Sequence, residues 1–138
     1  MKKILVPALL ILTSACAVGY NPRYYYNELQ AANLSGGTIT DVKIQVGGSG
    51  RVIECDTVLK NALCYEHFGK RPYPQQGIDL SWTLPGGERK SELLTPPISV
   101  LYSPAFPLRV ILEINADGTV KAYYKQDDPG RDGPIYDR

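Results

Sequence analysis

The clearest pattern along the chain is alternation of apolar and polar side chains in short runs, the period of a half-buried strand. Ile78, Leu80, Trp82 and Leu84 alternate with Asp79, Ser81 and Thr83. Leu108, Val110, Leu112 and Ile114 repeat the pattern, and Val120, Ala122 and Tyr124 carry it again. Ile39, Val42, Ile44 and Val46 form a further run, with one skipped place and with Lys43 and Gln45 on the wet side. Asn115-Ala116-Asp117-Gly118 separates the last two strands, and its Asp-Gly pair supplies the positive-φ positions of a tight hairpin. Pro85-Gly86-Gly87 reads as the turn after the Trp82 strand, with residues 88 to 94 returning as its partner. Less regular strands are expected over residues 51 to 55, 62 to 68 and 98 to 102. The last is hemmed in by Pro96, Pro97, Pro104 and Pro107, which suits an edge strand or a loop.

About seven short antiparallel strands joined by turns predict an all-β fold, a small two-sheet sandwich of immunoglobulin-like or transthyretin-like form. The Cys, Trp, Cys order of immunoglobulin domains is not matched, because Cys55 and Cys64 both precede Trp82. The domain is expected over residues 35 to 125. Residues 16 to 34 read as a tether, with one helical turn over residues 27 to 33, and residues 126 to 138 read as a polar, disordered tail. Thirteen Gly, eleven Pro and ten Tyr among 138 residues agree with a turn-rich extracytoplasmic module. A near-neutral formal charge, +1 for the whole chain, with dispersed signs speaks against an electrostatic nucleic-acid or anionic-lipid footprint.

The amino terminus changes the picture. Met1-Lys2-Lys3 precedes an apolar stretch from Ile4 to Leu12, and Thr13-Ser14-Ala15 brings small residues up to Cys16. This is the layout of a secretory signal, and the stretch is too short to span a bilayer, which takes about 20 apolar residues. Residues 12 to 16 resemble the lipobox of bacterial lipoproteins, although Thr13 stands where that motif carries Leu. The resemblance implies a diacylglycerol on the Cys16 thiol, cleavage before Cys16, and acylation (palmitate or a similar chain) of the new amino terminus. Ala17 after the cysteine, rather than Asp, resembles cargo sorted to the outer membrane. The alternative is Ala15-Cys16-Ala17 as a general cleavage site, which would release the chain into the periplasm. Cysteine arithmetic favours lipid: Cys55 and Cys64 are expected to pair across a hairpin or loop, leaving Cys16 as the odd thiol. Removing residues 1 to 15 removes Lys2 and Lys3, so the remaining charge is 13 − 14 = −1.

Little else carries chemistry. His67 is the lone histidine, and no Ser sits in a nucleophile elbow. The carboxylate pairs Glu54 with Asp56, Glu88 with Glu92, and Asp127 with Asp128 read as solvated rather than as a buried acid and base. Asn115, Asp117 and Thr119 resemble the opening of a calcium loop but lack its closing Glu. Trp82 alternates in register with core residues, which argues against a sugar platform. No metal, cofactor or catalytic set is expected. Aromatic and basic residues crowd the segment after Cys64, so Tyr65, His67, Phe68, Lys70, Arg71 and Tyr73 are the expected partner contacts, carried on a loop. The function expected is a lipid-anchored, non-catalytic binding or accessory lipoprotein on the periplasmic face of the outer membrane, with a protein partner in an envelope or secretion assembly. The alternatives are an immunity or exclusion lipoprotein against a periplasmic toxin, and, disfavoured, an envelope hydrolase.

Overall fold

The structure is a computed structural model, and it describes residues 24–47, 51–72, 76–98 and 101–126. Cys16 and the signal-like segment before it, Tyr73, and the residues after Gln126 lie outside that set. Eight strands run through the described residues: β1 (Tyr25–Leu34), β2 (Ile39–Val46), β3 (Val52–Val58), β4 (Leu63–Pro72), β5 (Ile78–Thr83), β6 (Arg89–Leu94), β7 (Leu108–Asn115) and β8 (Val120–Gln126). They form two four-stranded sheets, sheet A in the order β4-β1-β7-β8 and sheet B in the order β3-β2-β5-β6. This is the all-β sandwich that the alternation predicts. Every pairing is antiparallel except β1 with β7, which is parallel.

The alternating residues meet between the sheets. Val42 and Ile44 of β2 and Ile78, Leu80 and Trp82 of β5 face Leu29 of β1 and Leu108, Val110, Leu112 and Ile114 of β7, all fully buried. Burying one such side chain contributes about 1.5–3 kcal/mol, so the inward face of β7 alone outweighs any single crosslink in the fold. The hairpin between β7 and β8 closes as expected: Gly118 takes φ 84°, and the Asp117 carboxylate accepts from the Thr119 amide at 2.9 Å and its hydroxyl at 2.6 Å. Those two donors hold the Asp117 carboxyl below its usual pKa.

Two expectations are corrected. Residues 27 to 33 are not helical, and residues 25 to 34 are not tether: they form β1, an interior strand of sheet A. A register shift between Tyr26 and Glu28 breaks the period of two there, and buried Gln30 and Asn33 disguise the rest as polar. The folded unit therefore includes residues 24 to 34, upstream of the expected start at residue 35. At the other end, Gln126 belongs to β8 and not to a tail; its side chain bonds the backbone of Ser103 and Phe106.

The disulfide forms as predicted, between Cys55 on β3 and Cys64 on β4, with Cα atoms 6.0 Å apart. Its strands belong to different sheets, so the short ring is a clasp across one side of the sandwich. Arg51 extends the clasp: its Nη1 donates to Glu66 Oε1 at 2.7 Å, and its guanidinium lies 4.2 Å above the Phe68 ring. The chain-entropy argument for closing a ring of about ten residues gives about 2–3 kcal/mol. A Cys55→Ala, Cys64→Ala double variant should therefore keep its strand signal in circular dichroism while its melting temperature falls by roughly 10 °C or more.

Candidate functional site

The segment expected as a contact loop is an edge strand, β4, ten residues long. Pairing fixes where its side chains go. Tyr65 stands opposite Gln30 and His67 opposite Glu28, both on the outer face of sheet A, and both exposed. Phe68 turns inward instead, edge-on to Tyr26 at 5.1 Å, with its other contact the Arg51 cation. Burial raises the Tyr26 hydroxyl above the usual phenol pKa, partly offset by the positive charges of Arg51 and Arg71. Lys70 and Arg71 lie at the far end of β4, where Arg71 pairs with Tyr26. The structure therefore splits the expected set in two. Tyr65 and His67 share the outer face, Lys70 and Arg71 sit beside the start of β1, and Tyr73 lies outside the described residues.

Around Tyr65 the structure assembles a surface that alternation does not reveal. Leu63 precedes it by two residues on the same face and pairs with Ala32; Leu34 lies two residues beyond Ala32 on β1. Leu59 sits in the turn between β3 and β4. Leu34, Leu59, Leu63 and Tyr65 are 43%, 63%, 48% and 59% exposed, so one corner carries half of the large exposed apolar side chains in the described residues. Soluble domains seldom leave such a cluster open unless it meets a partner. The row through Tyr65 continues across the sheet to Gln30, Ile111 and Tyr123. Tyr123 donates to Glu113 Oε1 at 2.6 Å, and Lys121 lies 5.3 Å from its ring.

The corner is held from beneath by Asn33, a fully buried polar side chain. Its Nδ2 reaches three carbonyl oxygens, those of Gly37 at 2.7 Å, Val58 at 2.9 Å and Leu59 at 3.1 Å. Its Oδ1 accepts from the Ser35 amide at 3.1 Å and hydroxyl at 2.6 Å. Its backbone donates to Ala62 O and accepts from Asn61 N. One side chain thus ties the turn after β1 to the turn before β4, and Asn61 completes the second turn in the left-handed region at φ 61°. Sequence reasoning missed Asn33, Leu34, Leu59 and Leu63. The available signal was leucine placed directly beside turn residues, at Leu34-Ser35-Gly36 and Leu59-Lys60-Asn61, where no core contact is needed.

The other candidates stay apart from this corner. Glu54 and Asp56 lie exposed on β3, beside an open depression of about 190 Å³ shared with Asp41, Lys43 and Arg89. Arg89 bridges that face by donating to Asp41 O, Thr83 Oγ1 and Ser81 Oγ. Glu88 pairs with Lys90 at 3.1 Å, Glu92 is exposed on β6, and Trp82 is core. Asp127 and Asp128 lie outside the described residues. Among the described residues, no three His, Cys, Asp or Glu side chains are grouped to hold a metal ion.

No protein-family model matches the sequence, and no curated protein matches it. An NMR structure of a protein from Eubacterium rectale is similar in shape, with a TM-score of 0.48 at 12% identity over 80% of this chain and 97% of that one.

The bracing makes a direct prediction. In Asn33→Ala the carbonyls of Gly37, Val58 and Leu59 lose their shared donor, which should cost about 3 kcal/mol or more in a denaturant titration. Hydrogen exchange at the Asn61 and Ala62 amides should accelerate ahead of exchange in β7; uniform acceleration would mean that Asn33 does not brace these turns.

Proposed function

We propose that this chain is a non-catalytic binding lipoprotein, anchored by lipid on Cys16 at the periplasmic face of the outer membrane and acting through a protein partner. The observation that carries the binding half is the braced apolar corner of Leu34, Leu59, Leu63 and Tyr65. Binding surfaces gain affinity when their shape is set before the partner arrives, since less ordering entropy is lost on association. Buried Asn33, the Cys55–Cys64 clasp and the Tyr65 row supply that preorganisation, and leucine with tyrosine supplies the apolar area. The anchoring half rests on the sequence around Cys16 and on the Cys55–Cys64 pair, which leaves Cys16 as the odd thiol.

Two measurements test the two halves separately. Intact mass of membrane-extracted protein should show a chain starting at Cys16 and carrying acyl groups; a bare chain starting at Val18 would overturn the anchor. Photo-crosslinking from a reactive residue placed at Lys60, beside the corner, should trap one stoichiometric envelope protein in cells. Leu63→Glu or Tyr65→Ala should each reduce that crosslink, and in titrations with the purified partner weaken affinity about 30-fold, the scale of an interface hot spot. Melting temperatures should stay within a few degrees of the parent, because both side chains are exposed. Unchanged crosslinking in both variants would place the contact elsewhere.

A further inference from the structure

The two ends of the sandwich differ in chemistry, and the tether leaves from only one of them. Tyr24, the first described residue, is clamped: its hydroxyl donates to Tyr102 O at 3.1 Å, and the Tyr102 hydroxyl in turn donates to Tyr124 O at 2.5 Å. Pro72, Leu108 and Gln126 lie in the same end row, by the pairings of Tyr25 with Pro72, Tyr26 with Leu108 and Leu108 with Gln126. On sheet A this end carries Lys70, Arg71, Arg109 and Lys125. Against these four stands Glu28, a local cationic excess among the described residues of sheet A in a chain whose overall charge is near zero. Leu101, in the segment that the tyrosines pin here, is 81% exposed.

Cys16 precedes Tyr24 by eight residues, so covalent geometry keeps the two within roughly 29 Å. The apolar corner lies the length of β1 away from Tyr24, about 30 Å. Electrostatic attraction to a charged surface fades over about 10 Å at 0.1 M salt. Cations at the tether end therefore come within that range of headgroups when the eight-residue connection is slack, while the corner, a further strand length away, lies beyond it whenever the domain stands upright.

We propose that the tether end is a bilayer-docking surface: Lys70, Arg71 and Lys125 meet anionic headgroups, Leu101 enters the interface beside them, and the Leu34–Leu59–Leu63–Tyr65 corner is thereby held away from the membrane toward its partner. This deepens the reading of an anchor at Cys16 and rests on it. Long cationic side chains suit the position, because their stems lie against apolar groups while their heads stay among phosphates.

The test supplies the anchor chemically, so that its outcome is independent of lipidation in the cell. Unlipidated chain beginning at Cys16 is coupled through that thiol to a maleimide phospholipid, in vesicles of phosphatidylcholine alone or mixed with phosphatidylglycerol. Amide relaxation by a gadolinium-chelate lipid then reports depth. On the anionic vesicles, amides of residues 70, 71 and 101–103 should relax several-fold faster than those of residues 34 and 59–63, and faster than they do themselves on phosphatidylcholine. The triple variant Lys70→Ser, Arg71→Ser, Lys125→Ser should remove the anionic gain, as should 1 M salt. Each cation near such a surface is worth about fivefold in occupancy, so loss of three is enough to return relaxation on the anionic vesicles to the phosphatidylcholine values. Equal relaxation at the two ends, or the same gradient on both vesicle types, would overturn the docking surface and leave the intact-mass test of Cys16 untouched.

Discussion

Sheet A depends on β1, because no other strand pairs with both of its halves. β1 takes β4 antiparallel on one edge and β7 parallel on the other, leaving β8 to close the sheet as the second arm of the β7–β8 hairpin. Without β1, β4 would be a single strand and β7–β8 an isolated hairpin, and a two-stranded ribbon is at best marginal in water. The same strand supplies Leu29 to the core and Asn33 to the turns at its far end.

The sides of the sandwich are closed by different means, and the difference leaves the corner where it is. Between β3 and β4 a covalent bond and the Arg51 cation, placed between Glu66 and Phe68, clamp the two sheets together. At the tether end, hydrogen bonds from Tyr24, Tyr102 and Gln126 draw the segment before β7 over the core. The outer faces are unlike each other. Sheet B presents Thr83 and Ser81 with Arg89 laid across them, and Leu93 and Val52 exposed in the row through Asp79 and Gln45, whereas sheet A presents leucine and tyrosine beside β4.

Much of the fold was legible in the chain. Trp82, Leu112 and Tyr124 sit inward as their alternation required, the Asp117-Gly118 hairpin turns as its chemistry required, and Cys55 bonds Cys64. Of the adjacent tyrosines on β8, Tyr124 is buried and Tyr123 faces outward, as a strand demands. Two features resisted. β1 was unreadable because a register shift interrupts its period and because its buried Gln30 and Asn33 are polar; burial that depends on partners distant in sequence leaves no local mark. The corner was unreadable because Leu34, Leu59 and Leu63 are separated along the chain and meet only through the pairing of β1 with β4 and the bonds of Asn33.

By itself the sequence determined the side-chain period, the turns and the odd cysteine, since each is a property of a few neighbouring residues and the physics of a pleated strand or a positive-φ turn. The tertiary structure alone decided that the first strand pairs parallel with the seventh, that a short disulfide ring joins two sheets, and that four scattered apolar residues form one surface. Those outcomes depend on which strands become neighbours, and that choice is made by burying the whole core at once.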